Sequence, residues 1–361
     1  MLLIAVQWLF VKVAFVFVDC TPEVRDLASQ YFFIRIWAAP ATLSLMALKG
    51  WFIGMQDSVS AMATDLIVNG MNILMSIVLA LGISVGSWHY EGMGFPGVAV
   101  GTVVAQYSGL LVALVLLMAR YRRNTLSAMK RADLRAVFKG DQMRRFMTMN
   151  ADLFVRSLCF IAIYIGFTVI SARYGDTLLA VSSILMKLLM IFSYFTDGFA
   201  YAGEALVGRY VGAGDRTMYK ESVKWTFIWS MSIAVIFMGI YHFAGVPMLK
   251  MMTSDANVVE ASLEYLPWLL LMPVVGCAAF TWDGIYVGAT ASRQMRDSML
   301  WAVVAFVAVW VVGILLLNYL PSFMSIDIVG YNRIALHILM AAYFAHLLAR
   351  TVYLTIRSKI I

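Results

Sequence analysis

Ten predominantly apolar stretches, separated by short polar breaks, run the length of the chain, near residues 1–18, 27–54, 59–83, 96–119, 148–172, 178–207, 222–247, 259–289, 295–318 and 332–356. A helix needs about 20 such residues to cross a bilayer. Inside hydrocarbon every backbone N–H and C=O must find its partner within the segment, so each stretch is predicted to be a helix. The first, MLLIAVQWLFVKVAFVFV, has no basic leading region and no small-residue cleavage site, so it reads as a span and not as a signal peptide. The pattern predicts an all-α polytopic membrane protein.

Composition sharpens this. Of 361 residues, 62% are AVILMFWYC and only 13% are charged, about half the charged share of a soluble domain, which excludes a water-soluble globule. The net charge of +7 does not gather into a basic patch interleaved with aromatics, so no nucleic-acid partner is expected. The charges report topology instead. With Met1 inside, the segments 120–145, 209–224, 293–296 and 350–359 hold 18 Lys and Arg, against four (Arg25, Arg173, Lys250 and Arg333) on the opposite side. The positive-inside rule then places both termini in the cytoplasm of a plasma (inner) membrane protein. The 25 Met and 14% aromatic residues suit lipid contact more readily than a ligand cavity. Cys20, Cys159 and Cys277 lie far apart with no CxxC or Cys/His spacing, so no disulfide framework, metal site or cofactor is expected.

An internal repeat organises the spans. Ala28-Ser29 through Pro40 lies over Ala261-Ser262 through Pro273 at an offset of 233, and Gly97 lies over Gly330 at the same offset. After a one-residue slip, Lys49-Gly50 through Gly54 lies over Asp283-Gly284 through Gly288. A register kept across three spans points to a duplicated bundle. The chain divides accordingly into a partial N-terminal lobe of four spans (1–119), a basic cytoplasmic linker (120–147) and a C-terminal lobe of six spans (148–361). The repeat places counterparts of spans 148–172 and 178–207 before residue 1, so ten spans of an expected twelve are read as present. Because six spans per unit is even, the two bundles are expected to be related by a pseudo-twofold axis along the membrane normal.

Several segments resemble a known family. YFFIRIWAAPATLSLMALKGWFIGMQDS, NGMNILMSIVLALG, GVAVGTVVAQYSGLL, NADLFVRSLCF and above all SYFTDGFAYAGEALVGRYVGAGD look like the multidrug and toxic compound extrusion (MATE) transporters, specifically their DinF-like branch. The resemblance runs from residue 1 to about residue 357 and begins at that family's third helix. It implies a two-lobed, monomeric antiporter that exports hydrophobic cations such as amphipathic drugs in exchange for sodium ions or protons, in contact with membrane lipid. It also implies a first-lobe cation site built from an Asn, a carboxylate four residues later, a Thr on the next helix and an Asp on the first helix. Asn72 and Thr102 match that pattern, and Ser76 stands where the carboxylate is expected.

Ionisable residues within spans are the remaining candidates, because burying a charge in a membrane is expensive. Lys187, Tyr194, Asp197, Tyr201 and Glu204 are spaced by 7, 3, 4 and 3, which puts them on one helical stripe. Asp197 is the deepest carboxylate and the expected exchanging group. Glu204 is its wetter companion, and Lys187, Tyr194 and Tyr201 are cavity-facing supports; structural pairing with neighbouring helices is the competing reading. Asp152 and Arg156, four apart, are positioned for an internal ion pair. Lys49 and Asp283 occupy equivalent repeat positions, where opposite charges suit a gate, although snorkelling to the interface is the simpler expectation. His337 and His346 read as packed neutral histidines.

A lipid or lipid-linked oligosaccharide flippase of the same superfamily is the second reading; it needs several deep basic residues, and Lys12, Arg35, Arg156 and Lys187 are the candidates. An inert remnant is the third. No HExxH, GxSxG or paired His/Asp constellation is present, so an enzyme is not expected.

Overall fold

The computed structural model describes residues 2–17, 22–85, 88–131, 140–319 and 327–358. It divides into two compact units, Met1–Leu134 and Arg135–Ile361. The division falls within the stretch read as a basic linker, of which residues 132–139 lie outside the described residues.

The first unit contains α1 (Leu2–Ala5), α2 (Gln7–Phe17), α3 (Pro22–Arg35), a 3-10 turn (Ile36–Ala38), α4 (Ala39–Gly54), α5 (Ser58–Leu81), a small antiparallel hairpin of β1 (Ile83–Val85) and β2 (Trp88–Tyr90), and α6 (Phe95–Arg131). The second contains α7 (Asp141–Ala172), α8 (Asp176–Ala213), α9 (Arg216–Met252), α10 (Ala256–Glu264), α11 (Leu266–Gly288), α12 (Ser292–Tyr319) and α13 (Ile328–Arg357). Among the described residues, nine helical segments are long and apolar enough to cross a membrane. The expected span at 1–18 is not one of them: its described residues form the helices Leu2–Ala5 and Gln7–Phe17, separated at Val6, and residues 18–21 lie outside the described residues.

The helix boundaries follow from local chemistry. Asp57, Asp215, Asp255 and Asp327 each cap a following helix by accepting a backbone N–H from its first turn, which supplies partners for donors that the helix itself leaves unpaired. Gly214 closes α8 with φ 72°, in the left-handed region that glycine tolerates. Two predicted spans are broken near prolines. Pro40 lies just inside α4, after the 3-10 turn, and Pro267 lies just inside α11, after the break at Tyr265. A proline has no N–H and its ring crowds the carbonyl four residues back, so the helix restarts there.

The internal repeat is visible in backbone detail. Met55, Gln56 and Asp57 donate their N–H groups to the carbonyls of Trp51, Ile53 and Phe52, and Ala289, Thr290 and Ala291 donate theirs to Ile285, Val287 and Tyr286. The two loops therefore share one hydrogen-bond pattern at an offset of 234. Gln56 (φ 59°) and Thr290 (φ 55°) are the non-glycine residues with positive φ among the described residues, and they occupy the same loop position.

In the second unit α11 packs closely on α8. A Cβ added at Gly284 would lie 2.1 Å from the Ala200 carbonyl oxygen, and one at Gly288 would lie 2.3 Å from that of Glu204. This small-xxx-small approach lets the two backbones touch. The repeat-equivalent Gly50 and Gly54 meet nothing within 4 Å. Around the α8–α11 contact, Leu185, Leu188, Phe192, Met272, Cys277 and Leu347 form the unit's core. The Tyr241 hydroxyl donates to the Leu188 carbonyl at 2.6 Å and that of Tyr286 to the Leu354 carbonyl at 2.6 Å, so both buried phenols are satisfied.

Candidate functional site

The stripe predicted on α8 exists as a face of that helix. Lys187, Tyr194 and Tyr201 are exposed within the unit, the tyrosines at 66% and 55%, while Asp197 and Glu204 are half-buried. The opposite face, carrying Leu185, Leu188, Phe192 and Val207, is buried. One turn along from Asp197, Tyr194 borders a cleft of about 70 Å³ shared with Phe160, Tyr164, Met190, Phe280 and Tyr343. Asp197 makes no hydrogen bond or ion pair among the described residues, although the charges of Asp283 and Arg156 act on it.

Those two neighbours belong to a clamp built from three helices. Arg156 of α7 donates to Asp283 Oδ2 at 2.5 Å, and Arg350 of α13 donates to the same oxygen at 2.6 Å. Arg350 is 1% exposed. Asp283 Oδ1 and the Nε atoms of both arginines are buried without a hydrogen-bond partner. Two guanidinium groups against one carboxylate leave a net positive charge within the clamp.

The expected Asp152–Arg156 pair is replaced by partners on other helices. Asp152 accepts from Arg296 at 2.6 Å and from the Ser292 hydroxyl at 2.9 Å, at the start of α12, while Arg156 turns to Asp283. A same-helix pair four residues apart gains only about 0.2–0.5 kcal/mol, and the interhelical contacts give both charges partners on neighbouring helices. Lys49 forms an ion pair with Asp65 of α5, and Asp283 is clamped by two arginines. Each is engaged inside its own unit.

The residues singled out in the first unit make hydrogen bonds within their own helices. Thr102 donates to the Val98 carbonyl of its own helix at 3.0 Å, and Ser76 donates to Asn72 at a long 3.4 Å. The sequence reading missed Arg350, because the last span was taken to end in a basic cytoplasmic tail. It also missed a cluster around Asp57, whose carboxylate receives Arg120 at 2.8 Å, the Ser60 hydroxyl at 2.7 Å and the Tyr121 hydroxyl at 3.1 Å. Burial alone would push the Asp57 carboxyl up, but the hydrogen bonds from Ser60, Arg120 and Tyr121 hold it down to about 2. The Asp-x-x-Ser cap was legible in the sequence; its long-range partners Arg120 and Tyr121 were not. His337, read as a neutral histidine without a role, has two polar partners, Trp268 and Glu264.

With this geometry in place, comparison with known proteins is informative. The MatE family matches residues 153–320. The chain is 31% identical over 283 residues to DNA damage-inducible protein F of Escherichia coli K12, covering 78% of this chain and 59% of that protein. It is 24% identical over 317 residues to the Probable multidrug resistance protein NorM of Photorhabdus laumondii, covering 87% of this chain and 65% of that one. In both cases the match spans less than two thirds of the relative's own length. A solved MATE structure in the straight conformation aligns with a TM-score of 0.81 at 12% identity, over 99% of this chain and 75% of that one, and so shares its fold. The chain is a multi-pass membrane protein that belongs to the MATE family.

Proposed function

We propose that this chain acts as a secondary active antiporter of the plasma membrane that exports hydrophobic cations in exchange for sodium ions or protons, with Asp197 as the exchanging carboxylate. The observation that carries this reading is the contrast between two neighbouring acids. Asp283 is saturated by Arg156 and Arg350, whereas Asp197, half-buried in a membrane-crossing helix, makes no ion pair among the described residues. A carboxylate that must alternate between a coupling cation and a cationic cargo needs to be unclamped. Tyr194 and Tyr201 flank it by one turn on each side with exposed rings suited to an organic cation. Coupling supplies the work, since one charge moving through about 100 mV is worth roughly 2.3 kcal/mol.

Ethidium bound to the purified chain tests this without requiring transport. Acidification or added sodium should displace it from the unsubstituted protein, and Asp197→Asn should abolish that competition. In inverted vesicles, the same substitution should reduce gradient-driven ethidium accumulation to the passive level. Undiminished competition or accumulation in Asp197→Asn would remove this residue from the mechanism.

A further inference from the structure

The joint between α10 and α11 carries a second ionisable arrangement, separate from Asp197. Glu264 ends α10, Tyr265 forms the break with φ −97° and ψ 1°, and Trp268 lies in the first turn of α11. His337 of α13 reads both sides of this break. The Trp268 indole N–H donates to His337 Nδ1 at 2.9 Å, and His337 Nε2 lies 3.2 Å from Glu264 Oε1. Tyr265 stacks on the imidazole with centroids 4.4 Å apart, and Arg333 reaches the other Glu264 oxygen at 3.6 Å. The side chains of His337 and Glu264 are 33% and 40% exposed, so protons can reach them.

An indole N–H can only donate. His337 Nδ1 must therefore accept, which leaves the ring's proton on Nε2, where it is donated to Glu264. The tautomer is fixed by its two neighbours. A proton arriving from water can add only at Nδ1, and once there it removes the acceptor that Trp268 uses. The resulting imidazolium keeps Glu264 as its partner, now through a charge-assisted bond. Glu264 from α10, Tyr265 at the joint and Arg333 from α13 are the titratable or charged groups that face this site. α11 contributes only the indole, and α7, α8 and α12 place no charged side chain in hydrogen-bond or ion-pair contact with the ring among the described residues.

We propose that His337 is a proton-binding site at the α10–α11 joint, and that protonation releases the hydrogen bond from Trp268 of α11 while the contact with Glu264 of α10 is kept. The joint is then hydrogen-bonded to His337 on both sides when the ring is neutral and on the α10 side alone when it is charged.

Nitrogen-15 NMR of histidine- and tryptophan-labelled full chain in nanodiscs reads both halves of the proposal. The sequence has four histidines, so His337→Gln assigns the signal by its loss. At pH 8 the His337 ring should show a protonated Nε2 and an unprotonated Nδ1. On acidification to pH 5 it should become doubly protonated, and the Trp268 indole N–H, assigned with Trp268→Phe, should move upfield with the same midpoint. A protonated Nδ1 at pH 8, an absence of titration between pH 5 and 8, or an indole signal indifferent to pH would overturn the proposal. None of these readouts depends on transport or on Asp197.

Discussion

Asp283 receives both guanidinium groups through one oxygen while its second oxygen and both arginine Nε atoms stay buried and unpartnered. Such a cluster is intolerant of partial removal, because each deletion strands a charge that has already lost its water. Asp283→Asn leaves Arg156 and Arg350 facing each other and should destabilise the folded protein by about 3–5 kcal/mol, read as the loss of melting temperature in detergent. In a double-mutant cycle with Arg350→Met the two losses should be non-additive by about 0.5–3 kcal/mol. Asp57 makes a different prediction, on pH. Its folded-state carboxyl sits at about 2, against 3.8 for an ordinary Asp. A depressed folded-state value means that the contribution to stability is complete above the unfolded value and is lost as pH falls through the folded one. Asp57→Asn should therefore lower the melting temperature at pH 7, and the gap to the unsubstituted protein should close between about pH 4 and pH 2. A gap that stays constant across that range would mean that the carboxylate's charge is not what holds the α4–α5 loop.

Between helices, the glycines discriminate the two copies of the repeat. Gly284 and Gly288 let α11 lie on α8, and even one methyl group at either position would overlap a backbone carbonyl. Gly284→Ala and Gly288→Ala should each destabilise the protein, whereas Gly50→Ala and Gly54→Ala in open space should be neutral or stabilising by up to about 1 kcal/mol through helix propensity. Comparable losses at all four positions would show that the first copy has a close neighbour too. The repeat itself was legible in the sequence, and the matched loops at Gln56 and Thr290 give it a physical form. Nine of the ten spans were legible for the same reason: apolar runs of about 20 residues have few alternatives in a bilayer. The break at Val6 was not, since no proline or glycine marks it and Gln7 is the single polar residue among the first eleven. Nor were the ion-pair partners. Asp152 and Arg156 look complementary along one helix, but the choice between that contact and Arg296 or Asp283 depends on how α7, α11 and α12 pack. Packing of that kind has no signature in the spacing of one chain.

At the scale of the whole molecule, the distribution of charge makes a statement about sidedness that can be measured on one helix. α9 runs from Arg216 to Met252, and its 37 residues rise about 55 Å at 1.5 Å each, more than the roughly 30 Å of hydrocarbon. Its first turns carry Arg216, Lys220 and Lys224, and its last carries only Lys250. Lys220 and Lys250 are both exposed. If the excess of Lys and Arg marks the cytoplasmic face, the two positions must lie on opposite sides, with Lys220 inside. Single cysteines placed by Lys220→Cys and Lys250→Cys, in a background in which Cys20, Cys159 and Cys277 are replaced by alanine, should react with a membrane-impermeant maleimide in complementary preparations. Position 220 should label in inverted vesicles and position 250 in intact spheroplasts. Reactivity of both from one side would mean that α9 does not cross, and the reversed pattern would turn the protein over in the membrane. The outcome also fixes the side from which His337 is protonated. The α10–α11 joint follows the Lys250 end of α9 after a short connection, so the expected pattern exposes it to the external medium, where an exporter driven by protons would meet them first.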